Sequence, residues 1–200
     1  MAIHDFFLGE TVDLAGLADF LDHLDSPTRT REVRSLGARE QARLFDAAEG
    51  FRPVHLADFV AAGTTPLSEV IHHGRNSLPA FCFFEKRFCI PEASRDELWG
   101  YNEQALKALT GPGYFIARQA SEIEVVIDYC EVPPAKPASW PKILPNNARL
   151  SRFIYYRTRD FMRGVSRHVT IGRATRDGKP LNNWFVLCRT DPQANQGAAK

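Results

Sequence analysis

The sequence predicts an α+β fold, in which short N-terminal helices pack on a mainly antiparallel, strongly curved sheet of about seven strands. Two observations support this. Apolar residues recur at helical spacing in the first 60 residues, whereas later apolar runs are short, aromatic and separated by turn residues. Strands mostly follow strands, which favours antiparallel pairing and a sheet that closes partly into a barrel.

We expect residues 1–62 to form a helical cluster packed on the sheet of residues 63–190. Residues 191–200 are polar, and we predict that they form a disordered tail. The chain is expected to fold as one unit, because the segment after residue 147 is too small to close a core of its own.

The first predicted helix has Thr11 as its N-cap and apolar residues at helical spacing: Leu14, Leu17, Ala18, Leu21 and Leu24. Ser26 and Pro27 form a start signal for a second helix, and Gly50 ends a third that covers residues 38–48. Such short helices are unstable alone, so they must pack on one another or on the sheet.

Seven strands are predicted, at residues 68–73, 80–90, 114–118, 123–132, 152–157, 167–175 and 183–190. Ser94 and Glu97 form a capping-box pattern that predicts one middle helix ending near Leu109. Residues 160–164 are predicted as a single helical turn. Five prolines between residues 133 and 147 indicate an extended loop.

Composition narrows the class of protein. No run of about 18 apolar residues is present, so no transmembrane helix is expected. The first ten residues lack the pattern of a secretory signal. The four cysteines, Cys82, Cys89, Cys130 and Cys188, show no metal-ligand spacing, and we predict buried free thiols in a cytoplasmic protein.

The charge of the chain is strongly asymmetric. Residues 142–200 carry twelve Lys and Arg against three acids, a formal +9, whereas residues 1–141 carry a formal −8. Such an asymmetry affects the electrostatic field of the protein and the binding of charged partners, and it does not determine the fold. Because both halves are expected to share one sheet, much of the positive charge can pair with acids of the first half.

Arginines and aromatic residues interleave along the C-terminal strands. A guanidinium group binds carboxylate or phosphate, and aromatic side chains can line an apolar pocket. The leading hypothesis is therefore a binding domain for an anionic or amphipathic small molecule. Its predicted ligand-binding residues are Arg75, Arg87, Tyr129, Arg152, Tyr156, His168 and Arg173.

Two alternatives stay open. The first is a cofactor-free enzyme that transfers protons through His73, Asp128 or His168 in the same pocket. The second is an interaction module that uses the basic C-terminal face to hold an acidic protein or a nucleic acid. A pI near 7.7 and the absence of a recognisable nucleic-acid-binding motif disfavour nucleic acid.

No bound cofactor or metal ion is predicted. The chain has no Walker or dinucleotide-binding glycine pattern, and its histidines and cysteines do not form ligand pairs.

Overall fold

The computed structural model describes residues 1–105, 107–148 and 150–191. The predicted disordered tail lies outside the described residues from position 192 onwards.

The N-terminal region contains a 3₁₀ turn, Ile3–Phe7, and four helices: α1 (Leu14–His23), α2 (Ser26–Val33), α3 (Ala38–Ala47) and α4 (Leu56–Phe59). Asp13, rather than the predicted Thr11, caps α1, because its carboxylate accepts a hydrogen bond from Gly16 N at 3.0 Å. Asp25 caps α2 in the same way, accepting from Thr28 N at 2.7 Å.

Eight antiparallel strands form a closed barrel in which each strand pairs with its neighbours in the sequence and β8 returns to β1. The strands are β1 (Val70–Asn76), β2 (Phe83–Cys89), β3 (Glu97–Glu103), β4 (Phe115–Gln119), β5 (Val125–Asp128), β6 (Thr158–Gly164), β7 (Val169–Arg176) and β8 (Lys179–Arg189). Two four-residue helices interrupt the series, α5 (Lys107–Thr110) and α6 (Ser151–Ile154). Closure removes the sheet edges that an open sheet would expose.

The predicted fold class is confirmed, with three corrections to its elements. The region predicted as the middle helix is strand β3 followed by the short α5, and this adds an eighth strand. The predicted strand at 152–157 contains α6, and the predicted helical turn at 160–164 lies in β6. Glu97 does not cap a helix, because its carboxylate accepts from Trp99 Nε1 at 2.8 Å and Arg118 Nε at 3.1 Å.

Alternation along the strands separates the inner and outer faces of the barrel. Much of the interior is occupied by one apolar cluster, which includes Phe88, Phe115, Ile127, Met162 and Leu187. A second cluster forms where the N-terminal helices cover the outer faces of β7 and β8. A third lies outside β3 and β4, where Trp140 of the proline-rich segment packs on tyrosine rings.

Two glycines of the inner face make room for aromatic rings from neighbouring strands. Gly74 pairs with Phe84, and Gly172 pairs with Phe185. A Cβ at Gly172 would lie 2.4 Å from the Phe185 ring, and one at Gly74 would lie 2.6 Å from the Phe84 ring. Each ring therefore lies flat over its cross-strand glycine.

Helix α4 closes one end of the barrel. Phe59 is fully buried and stacks on His72, with ring centroids 5.5 Å apart. His72 Nε2 lies 2.9 Å from the Phe59 carbonyl oxygen, whereas the buried Nδ1 has no hydrogen-bond partner among the described residues. Burial lowers the pKa of His72 to about 3, so the imidazole is neutral at physiological pH.

His72 should make stability depend on pH. Its pKa lies below the value of about 6.5 in the unfolded chain, so stability is complete above that pH and falls as the pH drops towards 3. Lowering the pH from 7.5 to 5.0 should remove about 2 kcal/mol of unfolding free energy through this residue. Urea denaturation at both pH values should show that His72→Gln loses this part of the dependence.

Burial also lowers the pKa values of His73 and His168, but both residues are retained in the variant. The difference in pH dependence between wild type and His72→Gln therefore measures the contribution of His72 alone. An unchanged pH dependence in His72→Gln would contradict the assignment.

Candidate functional site

The end of the barrel opposite α4 is open and leads into a cavity of about 250 Å³. Its walls are mostly apolar and largely aromatic, with Phe84, Tyr155, Ala174 and Phe185. The lining also includes the polar residues Asn76, Gln104, Thr110, Thr158 and Asn183. Binding pockets for small molecules span about 300–1,000 Å³ and carry a few placed polar groups in an apolar lining. The cavity therefore has the construction of a small-molecule site, with a volume slightly below that range.

Four polar side chains form the floor of this cavity. They separate it from the apolar cluster in the half of the barrel nearer α4, which we call the lower half. They are Lys86 of β2, Asn102 of β3, Tyr129 at the end of β5 and Asp160 of β6, all at most 5% exposed. Cross-strand pairing fixes their level: Lys86 is opposite Asn102, and Asp160 is opposite Ala174. We call these four residues the polar floor.

Lys86 is the centre of the polar floor. Its Nζ donates hydrogen bonds to Asn102 Oδ1 at 3.1 Å, to Asp160 Oδ2 at 3.2 Å and to the Tyr129 hydroxyl. These three acceptors match the three donors of an ammonium group. Asn102 Nδ2 donates to the Tyr129 hydroxyl at 3.1 Å and to the Gly113 carbonyl at 3.1 Å.

Burial opposes the charged forms in the polar floor. It raises the pKa of Asp160 against the effect of the nearby ammonium, and it lowers the pKa of Lys86 against the effect of the carboxylate. Burial, reinforced by the Asp160 charge, raises the pKa of Tyr129 well above its ordinary value. The proton shared by Lys86 and Asp160 is therefore held less firmly by the amine than in water.

Aromatic rings surround the Lys86 ammonium. Its Nζ lies 4.9 Å from the centroid of Phe185, 5.0 Å from Tyr129, 5.1 Å from Phe115 and 5.7 Å from Phe84. Cation–π attraction contributes most when the cation is removed from water, as it is here. Tyr155 stacks on Tyr129 at 5.2 Å and extends the aromatic wall towards the mouth.

The mouth of the cavity carries exposed apolar side chains. Leu78 and Phe81 of the β1–β2 loop and Ile154 of α6 line the cavity and are 42–65% exposed. Phe81 also has a φ of 52°, a backbone conformation that bulky residues rarely adopt. Exposed apolar patches of this kind often mark ligand entrances or binding surfaces.

Of the seven predicted ligand-binding residues, Tyr129 lines this cavity. The other predicted positions lie elsewhere on the barrel. Arg75 donates to the carbonyls of Arg34 and Ser35, and Arg173 donates to the Leu181 carbonyl. Arg87 forms ion pairs with Glu69 and Glu85.

Arg152 of α6 and Tyr156, which follows this helix, are both exposed, and the Arg152 guanidinium lies 4.9 Å from the Phe153 ring centroid. Among the described residues that line the cavity there is no arginine. The cation that the cavity contains is instead Lys86.

The three candidate acid–base residues lie outside the polar floor. His73 Nδ1 is 3.4 Å from Glu85 Oε1, and His168 Nδ1 is 3.4 Å from Asp191 Oδ1. Asp128 accepts from Arg159 Nε at 2.8 Å and from Cys130 N at 2.7 Å. Burial tends to raise the pKa of Asp128, but these hydrogen bonds lower it below its usual value, which is the reverse of what a general acid needs.

Two arginines of the basic segment pair with acids of the first half, as expected for a shared sheet: Arg159 with Asp128 at 2.8 Å and Arg163 with Glu124 at 2.8 Å. Arg157 instead pairs with Asp177 of its own segment at 2.5 Å. Part of the formal +9 is therefore neutralised by the two contacts with the first half.

Sequence reasoning missed Lys86, Asn102 and Asp160. For Lys86 a usable signal was present, since it is the one charged residue among Phe84, Phe88 and Ile90 on its strand face. Asn102 and Asp160 lie in segments that the sequence predicts to be helical, so strand alternation does not bring them to one face.

Comparison with known proteins does not assign the chain. No family model, no curated protein and no solved structure matches it. Within the described ranges, no three His, Cys, Asp or Glu side chains group as metal ligands, and no helix is long and apolar enough to span a bilayer.

The polar floor predicts a distinctive pattern of stability. Asp160→Leu leaves a buried ammonium without its carboxylate and should lower the free energy of unfolding by about 3 kcal/mol. The double variant Lys86→Met/Asp160→Leu removes both charges and should recover most of that loss. Urea denaturation followed by tryptophan fluorescence measures both.

Lys107→Met is the matched control, because Lys107 pairs with Glu103 at a half-exposed position. It should cost less than about 1 kcal/mol. A double variant no more stable than Asp160→Leu would show that the pair itself is not what the single variant disrupts.

Proposed function

We propose that the barrel binds a small, uncharged amphipathic molecule, with its apolar body against the aromatic walls and its polar head at the polar floor. This proposal rests on a cavity whose sides are mostly apolar and whose buried end contains the four side chains of the polar floor. A barrel with buried aromatic clusters is compatible with small-molecule binding.

The charges of the polar floor favour an uncharged head over an anion. Lys86 and Asp160 together are formally neutral, and the lysine already donates to three acceptors. A ligand carboxylate would bring a second negative charge beside Asp160 without a free cation to pair with it. The amphipathic part of the sequence hypothesis is therefore retained, and its anionic part is disfavoured.

The apolar mouth also supports the proposal. An apolar molecule leaving water meets Leu78, Phe81 and Ile154 before it reaches the aromatic walls. In contrast, an interaction module based on the basic face is less well supported, because arginines of that segment contact acids or backbone carbonyls.

Two ligands with the same apolar body test this proposal. Isothermal titration calorimetry at pH 7.5 should show that 3-phenylpropanol binds at least tenfold more tightly than 3-phenylpropanoate. A tenfold difference corresponds to about 1.4 kcal/mol. The expected cause is the extra negative charge that the carboxylate would place beside Asp160.

Ala174→Phe should abolish binding of the alcohol, because Ala174 lines the cavity opposite Asp160. Ala135→Phe, at an exposed position of the proline-rich segment, is the matched control and should bind normally. Cooperative urea unfolding confirms that each variant is folded. Tighter binding of the carboxylate would restore the anionic hypothesis, and normal binding to Ala174→Phe would place the ligand elsewhere.

A further inference from the structure

Lys86 is a primary amine removed from water at the floor of a cavity that opens to solvent. A buried ion pair is weak support for stability, since apolar residues of similar volume often replace it without loss. Lysines in apolar pockets, by contrast, are activated nucleophiles that form imines with carbonyl compounds. The position of Lys86 is therefore better explained by the reactivity of its amine than by a contribution to stability.

We propose that Lys86 forms an imine with the bound molecule, so that the site takes an aldehyde or a ketone. This inference rests on the proposed function, because the carbonyl compound must first occupy the cavity.

The partners of Lys86 fit this reaction. Asp160 Oδ2 is 3.2 Å from Nζ and can accept its proton, which leaves the amine neutral and nucleophilic. The Tyr129 hydroxyl also hydrogen bonds with Nζ, and it lies at the same level of the cavity floor. It is therefore placed to pass a proton between the nitrogen and a carbonyl oxygen bound beside it.

The reaction balances with these groups alone. The Lys86 ammonium gives one proton to Asp160, and the Nζ lone pair attacks the carbonyl carbon while the C=O π electrons move to oxygen. A proton passes from nitrogen to that oxygen through Tyr129, which gives a neutral carbinolamine. Asp160 then returns its proton to the hydroxyl group, the C–O bond breaks, and water leaves as the C=N bond forms.

The charges in the barrel are the same before and after this sequence. The starting state contains an ammonium and the Asp160 carboxylate, and the product contains a protonated imine and the same carboxylate. No additional charge has to be buried, so the surrounding aromatic rings can serve both states. Asp160 is thus the counter-ion of the amine and of the imine.

Reductive trapping tests the inference. Wild-type protein is incubated at pH 7.5 with 3-phenylpropanal and sodium cyanoborohydride, which reduces an imine to a stable secondary amine. Intact-mass measurement should show an adduct heavier by the mass of the aldehyde less one oxygen atom. Peptide mapping should place it on Lys86, with a rate at least tenfold above that of the exposed Lys142 and Lys179.

Two controls separate this chemistry from surface labelling. Excess 3-phenylpropanol should slow labelling of Lys86 and leave Lys142 and Lys179 unaffected. Lys86→Met should remove the fast adduct. If that variant does not fold, the site map of the wild-type protein decides the question alone.

The outcomes distinguish this inference from the proposal on which it rests. If 3-phenylpropanol binds in the cavity but Lys86 is labelled no faster than the exposed lysines, imine formation is refuted and the binding function stands. If calorimetry shows that the alcohol does not bind and Lys86 is not labelled, both are refuted.

Discussion

Removing an ammonium and a carboxylate from water costs several kcal/mol for each ion, and the barrel bears this cost at Lys86 and Asp160. The cost is tolerable because the Lys86 ammonium has three acceptors and faces four aromatic rings. The arrangement requires β2, β3 and β6, together with the end of β5, to bring polar groups to one level of a closed barrel. The shape and polarity of the cavity follow from that requirement.

Closure of the barrel explains how so small a protein can hold this cavity open. The lower half is packed with apolar side chains and closed by α4, while helices and the proline-rich segment cover parts of the outer surface. Gly74 and Gly172 let Phe84 and Phe185 lie flat against the wall, so the rings define the cavity without filling it. The packed lower half therefore provides a rigid base on which the polar floor is held.

The sequence predicted the fold class better than it predicted the site. Helical spacing near the N-terminus and consecutive aromatic strands were local patterns, and each reflects the period of its element. The polar floor is non-local, because it is assembled from several strands by register. In β6, Asp160 lies on the inner face, and Arg159 and Arg163 lie on the outer face. Because polar residues occur on both faces, the sequence of β6 lacks the apolar–polar alternation that indicates a strand. The arginines of the C-terminal strands form ion pairs with acids or donate to backbone carbonyls. The buried cation of the barrel interior is instead Lys86, a lysine in an aromatic strand.

We propose that the polar floor binds the head group of a ligand. A crystal structure of the protein grown with 3-phenylpropanol should show density for the phenyl ring between Phe84, Tyr155 and Phe185, with the hydroxyl within hydrogen-bond distance of the polar floor. An empty cavity, or an alcohol molecule bound only at the outer surface, would refute this role of the polar floor.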